Sequence, residues 1–361
     1  EVCGISYVDG ATGGFVRTEP RQRQDRLDVF PSPYLTGEYD HLAPRSWPFL
    51  ATIEGTRGCP YGCTFCDWGS ATMSRIRAFD QERVSAEVSW LLERGISGAF
   101  LADANFGILA RDVQIAHDIV RHRVELDRDF MVILTPAKNT IKHLVPIIDA
   151  FNTGGVEFRA ALGIQSVDSD TLAAANRSNI SNDGFIALGV ELRRRGLPLV
   201  CDLLIGLPGQ TVESVKGDLQ FVLDNECVAR MGSVVLLPNA PMNERDYREI
   251  WGINAEADGL VTSSRSFTAG DRERMVRLQQ AVTLFDGYGV LRHVLRFLQW
   301  DHGLPAIDVL ELEQQRVHAI TGGAAHQADR SHLEAPRRRL RHHRSPAPGQ
   351  RPARRSSISS I

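Results

Sequence analysis

From Phe49 onward the chain repeats one pattern: an apolar run of strand length, a polar or glycine-containing loop, then an amphipathic helical stretch. Strands are expected at 49–54, 98–103, 130–135, 156–165, 199–205 and 232–237, and helices at 80–93, 111–126, 140–151, 182–195, 211–225 and 270–287. Such alternation calls for parallel strands joined by right-handed helical crossovers. Six units suit an α/β partial (β/α)6 barrel, and a doubly wound open sheet would show the same periodicity. In both, the carboxyl ends of the strands face the ligand site, so the loops that follow them are where chemistry is sought.

The flanks differ from this body. Residues 1–48 combine scattered glycines and prolines with many charges and read as a linker. The first residue is Glu1, in what reads as mid-domain sequence, so the chain is taken as a fragment. A helical region is expected from Leu291 to about His318, rich in Phe297, Trp300, Ile307 and Leu310, packing across the barrel. Beyond it, 326–361 is rich in Arg, Pro and Ser, with Asp329 and Glu334 as its only acids, and is expected to be disordered. Its composition also suits GC-rich DNA read out of frame. With 43% hydrophobic and 24% charged residues, the chain is neither fibrous nor wholly disordered. It has no run near the roughly 18 apolar residues of a membrane span and no signal peptide at its start, so a cytoplasmic location is the default.

Six cysteines are too few for a disulfide scaffold, and three fall within positions 59–66. The stretch Cys59-Pro60-Tyr61-Gly62-Cys63-Thr64-Phe65-Cys66 spaces them C-x3-C-x2-C directly after the first strand. Thiolates are soft ligands suited to iron-sulfur clusters, and short spacings let one loop wrap one cluster. Three ligands leave one iron of a 4Fe-4S cube free for a substrate. A structural zinc site would need a fourth ligand, and the nearest histidines, His41 and His117, are remote in sequence. Cys3, Cys201 and Cys227 read as small hydrophobes.

With this spacing, its place after the first strand and Phe65 before the third cysteine, the chain resembles the radical S-adenosylmethionine superfamily over about residues 30–310. The resemblance implies the radical SAM partial barrel, with Cys59, Cys63 and Cys66 as ligands of a 4Fe-4S cluster whose open iron is chelated by S-adenosylmethionine. Reductive cleavage then yields methionine and a 5'-deoxyadenosyl radical. Residue by residue, it implies that Asp103 and Asn105 bind the methionine amine, although the family's Gly-Gly-Glu form is replaced here by Ala102-Asp103-Ala104-Asn105. Gln165 and Ser166 would lie near ribose and methionine, Arg177 would pair with the methionine carboxylate, and the segment carrying Gly206 and Pro208 would lie beneath adenine. Helix capping by Ser166 and a surface salt bridge for Arg177 are equally consistent readings.

Three further segments, Phe30-Pro31-Ser32-Pro33-Tyr34-Leu35-Thr36-Gly37, Cys66-Asp67-Trp68-Gly69 and Leu236-Leu237-Pro238-Asn239-Ala240-Pro241-Met242, resemble the branch with an N-terminal cobalamin-binding domain. By that resemblance residues 1–48 are the end of such a domain and its linker, 49–290 the radical core, 291–325 a helical extension and 326–361 the tail. Many members of the branch are methyltransferases; others cyclise or rearrange. Cobalamin enters by resemblance alone, since no D-x-H-x-x-G signature is present. Trp68 is read as a wall of the cobalamin or substrate cavity, or as a shield for the iron. The implied partners are a small-molecule or peptide substrate and an electron donor such as flavodoxin or ferredoxin. The competing readings are a cobalamin-independent radical oxidoreductase or cyclase, a non-catalytic iron-sulfur protein, and a nucleic-acid binder using the arginine tail.

Overall fold

The structure, a computed structural model, describes residues 2–22, 24–41, 50–68, 75–138 and 140–312. In chain order its elements are β1 (Ser6–Val8), β2 (Phe15–Arg17), β3 (Leu50–Ile53), β4 (Thr56–Arg57), β5 (Arg77–Ala78), α1 (Gln81–Glu93), β6 (Gly98–Phe106), α2 (Arg111–Glu125), β7 (Met131–Pro136), α3 (Leu144–Thr153), β8 (Glu157–Ala160), β9 (Leu162–Gln165), α4 (Ser169–Ala174), α5 (Asn182–Arg194), β10 (Val200–Ile205), α6 (Val212–Asp224), β11 (Val228–Ser233), α7 (Arg245–Trp251), β12 (Asn254–Ala255), β13 (Val261–Ser263), α8 (Ala269–Val282) and α9 (Arg292–His302).

The strands that carry the site are all parallel and form two sheets, β3-β6-β7-β8 and β9-β10-β11. The run expected as one strand at 156–165 is divided at Ala161. Its first half bonds to β7, with Leu134 opposite Ala160, and its second half to β10, with Leu162 opposite Cys201. One continuous run therefore serves both sheets, and the strand order along the wall is that of a six-unit partial barrel.

Alternation along the strands explains the layering. In β10, Cys201, Leu203 and Ile205 are buried against the helices, while Asp202 and Leu204 face the other way. Helix α6 buries Val212, Val215, Leu219, Val222 and Leu223 at helical spacing. It starts at Thr211, whose side chain accepts from the Ser214 N–H while the Ser214 hydroxyl accepts from the Thr211 N–H. A cap of this kind is worth about 1 kcal/mol. One apolar core lies under β6 and β7, around Leu101, Ile119, Val132 and Phe151. A second lies under β9 and β10, around Ile164, Leu188, Leu203 and Leu219.

Several elements differ from expectation. Residues 1–48 hold a small antiparallel hairpin, β1 with β2, within what reads as linker. The second barrel strand continues through Asp103 and Asn105 to Phe106, with an irregular register after Leu101. The last strand is Val228–Ser233 rather than 232–237, because Val228 pairs with Val200 immediately after the turn from α6. The helix expected at 270–287 becomes π-helical at Thr283–Gly287. The C-terminal stretch breaks at Gly303, which adopts φ of 66°, followed by Pro305. It docks on the outer face of α6 through Lys216 Nζ to Glu311 at 2.8 Å and the Ile307 N–H to Gln220 at 3.1 Å, rather than across the barrel. The expectations for Phe49, for 313–325 and for the arginine-rich tail fall outside the described residues. Among the described residues no helix is long and apolar enough to cross a membrane.

Candidate functional site

The cysteine loop leaves β3 at its carboxyl end, and its two flanks are clamped together by the antiparallel pair β4 and β5, with Thr56 opposite Ala78. Asp103 holds the start of this loop. Its buried carboxylate accepts from the Gly55 N–H at 2.9 Å and the Thr56 hydroxyl at 2.5 Å. Burial raises the Asp103 pKa to about 6, against the opposing effect of those two donors.

Farther along, the Thr64 N–H donates to Ala175 O at 3.0 Å and the Met242 N–H to Thr64 O at 2.8 Å. Asn176 donates through Nδ2 to Gly62 O at 2.9 Å. The Tyr247 hydroxyl lies 3.2 Å from Thr64 Oγ1 and donates to Ala174 O at 2.6 Å. The loop is thus tied to α4 and α7, on the far wall from the strand it leaves. Phe65 is half-buried against the second core, and Trp68 is 38% exposed.

Two side chains donate to the cysteine sulfurs. Asn105 Nδ2 is 3.3 Å from Cys59 Sγ, and Arg177 Nη1 is 3.6 Å from Cys63 Sγ. Donors aimed at sulfur favour the thiolate that a cluster requires. Cys59 and Cys63 are buried, and Cys66 is half-buried with its pKa raised by burial, an effect the Lys138 charge opposes. Among the described residues no three His, Cys, Asp or Glu side chains converge to hold a single metal ion. A cube of four irons places its thiolates on separate irons and does not require that convergence.

Arg177 is buried, and desolvation lowers its pKa while the three cysteines oppose the shift. Besides Cys63 it reaches Gly163 O through Nη2 and Asn179 Oδ1 through Nε at 2.8 Å. Asn179 in turn donates to Ile164 O and Ser166 O, both at 2.8 Å. Ser166 does not cap a helix with its side chain. Its hydroxyl donates to Asp218, 2.9 Å from each carboxylate oxygen, and the cap of α4 is Asp168, which accepts from the Thr171 N–H. Asp218 also accepts from the Val167 N–H at 2.6 Å and is raised to about 6 by burial.

Gln165, at the end of β9, has a left-handed backbone with φ of 64°. Strain of this kind is tolerated where neighbouring structure enforces it, and it clusters at ligand sites. Gly206 has φ of 104° and Gly209 φ of 85°, both in the region glycine favours. Their turn is closed by Gln210, whose Oε1 accepts from the Gly206 and Leu207 N–H groups at 2.8 and 3.0 Å and whose Nε2 donates to Leu204 O at 2.8 Å. Pro208 is buried within this turn.

Asn179, Gln210, Asp218 and Tyr247 were not legible as site residues. Their signal is burial of polar groups far apart in sequence, which no local motif carries.

Among the described residues gathered here, Asn105 Oδ1 and Gln165 Oε1 are buried acceptors without a protein partner. Native proteins rarely leave such atoms unsatisfied, so each is available to a donor from a ligand or an ordered water. The arrangement therefore gathers Asn105, Gln165, Arg177 and the cysteine loop at strand carboxyl ends. Asp103, Ser166 and the Gly206 turn serve as supports behind them.

Comparison with known proteins agrees with this geometry. Residues 53–222 match the model of the radical SAM superfamily. The chain is 36% identical over 306 residues to a cobalamin-dependent radical SAM methyltransferase, TokK, of Streptomyces tokunonensis, covering 78% of this chain and 45% of that protein. It is 34% identical over 248 residues to a 2-(S-pantetheinyl)-carbapenam-3-carboxylate methyltransferase of Streptantibioticus cattleyicolor, covering 67% of this chain and 36% of the relative. The chain thus spans less than half the length of these two relatives. In fold it is similar to OxsB, a cobalamin-dependent S-adenosylmethionine radical enzyme solved with aqua-cobalamin and S-adenosylmethionine bound, with a TM-score of 0.54 and 17% identity over 88% of this chain and 51% of that one. With its cysteine loop at the head of a six-strand partial barrel and the family match over that core, the chain belongs to the radical SAM superfamily.

Proposed function

We propose that this chain is the radical-generating core of a cobalamin-dependent methyltransferase acting on a small molecule. The observation that carries the reading is the pair of donors on the cysteine sulfurs, Asn105 to Cys59 and Arg177 to Cys63, beside two buried acceptors, Asn105 Oδ1 and Gln165 Oε1, that a ligand donor would satisfy. The names of the relatives support the methyl-transfer part.

Cys59, Cys63 and Cys66 would hold the cluster, which when bound supplies the electron for cleaving S-adenosylmethionine, with cobalamin as the methyl carrier. The protein's part is to bind, orient and exclude water. Asn105 holds the Cys59 sulfur and presents Oδ1 to the methionine ammonium. Arg177 keeps a second hydrogen on Nη1 for the methionine carboxylate, which its planar fork suits. Asp103 acts through the loop it fixes, since both its oxygens accept from Gly55 and Thr56. Gln165 offers Oε1 to ribose, and Ser166 fixes the strand end from which Gln165 projects. Phe65, Gly206 and Pro208 form an apolar wall and floor for adenine. The electron donor would be a flavodoxin or a ferredoxin.

The test is anaerobic reconstitution with iron and sulfide followed by reduction in the presence of S-adenosylmethionine. Appearance of 5'-deoxyadenosine or S-adenosylhomocysteine is the expected result. Failure of a fully reconstituted chain to bind or consume S-adenosylmethionine would overturn the reading. Retention of cobalamin on gel filtration, by this chain or by a longer one that includes it, tests the branch.

A further inference from the structure

A cavity of about 490 Å3 opens between β9, β10 and β11, below the cysteine loop. Phe65 and Cys66 line it on the loop side, and Leu204, Met231, Val234 and Leu237 give it a largely apolar wall. Two charged side chains enter it, Asp202 and Arg230. They are register partners on β10 and β11, and both lie three residues short of the strand ends at Ile205 and Ser233. At about 3.3 Å per residue this places them about 10 Å deeper than the loops that hold the cysteines and the Gly206 turn.

The pair has a definite geometry. Arg230 Nε donates to Asp202 Oδ1 at 2.6 Å and Nη2 to Oδ2 at 3.0 Å, a bidentate contact that uses one edge of the guanidinium. The other edge, carrying Nη1 and the second hydrogen of Nη2, makes no hydrogen bond among the described residues. The Arg230 side chain keeps 68% of its exposure while Asp202 keeps 29%. A cross-strand ion pair this exposed contributes little to stability. Its consequence is orientation, because Asp202 fixes the fork and leaves a planar two-donor edge free on a residue that lines the cavity.

Resting on the function proposed above, we infer that this cavity takes a small molecule with an apolar body and a single carboxylate, and that the free edge of Arg230 fixes that carboxylate. A planar fork matches a carboxylate through two parallel N–H···O contacts. Asp202 cancels the positive charge nearby and so disfavours a dianion such as a phosphate monoester. The depth of the pair sets the direction of binding: the carboxylate lies low in the barrel and the apolar body extends toward Phe65 and the cysteine loop.

The test measures binding by calorimetry or ligand-observed NMR on the full chain, with phenylacetate, phenylacetamide and phenyl phosphate as probes. Wild type is expected to bind phenylacetate about tenfold more tightly than either of the others, a difference of about 1.4 kcal/mol. R230Q should erase that preference, R230K should retain only part of it, and D202N should weaken it by a smaller factor. A Cβ at Gly232 would stand 3.5 Å from Leu204 Cδ2, an ordinary contact, so G232L fills the cavity and should abolish binding of phenylacetate and phenylacetamide alike. Melting curves and iron content of each variant establish that it is folded. Equal binding of acid and amide, tighter binding of the phosphate, or an R230Q protein that keeps the preference would each overturn the inference. Reconstitution run in parallel separates the two ideas. S-adenosylmethionine consumption without a carboxylate preference sinks only the pocket assignment, and a carboxylate preference in a chain that builds no cluster sinks only the radical-enzyme reading.

Discussion

The side-chain amide of Asn105 donates to the sulfur of Cys59 at 3.3 Å, joining the end of the second barrel strand to the first cysteine of the loop. Its other end, Oδ1, is buried without a partner. One side chain thereby faces two ligands, the sulfur and whatever occupies the site beside it. Replacing it with leucine should preserve iron content but lower the cluster's midpoint potential, because a hydrogen bond to sulfur stabilises the added electron. Potentiometric titration of the reconstituted variant checks this; an unchanged potential would show that the contact does not survive in the loaded protein.

Cys59→Ala, Cys63→Ala and Cys66→Ala should each abolish cluster assembly. Cys201→Ala and Cys227→Ala should not, since both thiols are buried in the second core, away from the loop. Iron and sulfide counts with visible absorption decide it. Near-normal cluster content in any of the first three variants would remove that cysteine from the ligand set.

Asp218 gives a pH signature. Its folded pKa of about 6 stands above the ordinary carboxylate value of 3.8 because burial outweighs the donors Ser166 and Val167. A raised carboxyl contributes stability that is fully present below its unfolded pKa and is lost as pH rises through the folded one. The loss should therefore run between about pH 4 and pH 6, amounting to about 3 kcal/mol at 1.36 kcal/mol per unit. Asp218→Asn does not ionise, so its melting temperature should gain on the wild type across that window. A constant difference from pH 4 to pH 7 would count against the assignment.

Gly209→Ala should destabilise the fold by about 1–3 kcal/mol. The residue has φ of 85°, and a Cβ there would stand 3.1 Å from Asp170 O and 3.2 Å from Thr171 Cα, both backbone atoms. Gly217→Ala, on α6 with open space around it, should be neutral or slightly stabilising. Urea midpoints of the two variants make the comparison, and a neutral Gly209→Ala would show that the turn relaxes.

The order of strands and helices, their parallel direction and the position of the cluster loop were legible because each depends on local periodicity and on a short ligand spacing; the choice of a partial barrel over a doubly wound sheet came from the family resemblance. The three cysteines fall within eight consecutive positions of one loop, so nothing distant is needed to bring them together. Strand limits were less legible: β11 begins at Val228 because it pairs with Val200, and pairing partners are not written in either segment alone.

What only the tertiary structure decided is the division of labour among polar residues. Asp103 and Asn105 are two positions apart on one strand and look equivalent in sequence. Yet Asp103 spends both oxygens on Gly55 and Thr56, whereas Asn105 turns to Cys59 and keeps a free acceptor. Ser166 could have capped a helix until Asp218, 52 residues away, took its hydroxyl. Asp202 and Arg230 look like ordinary strand charges until the register sets them side by side over a cavity. Sequence determines which chemistry a residue can offer; which partner satisfies it depends on long-range packing, because a buried polar group must find its hydrogen bond wherever the fold supplies one.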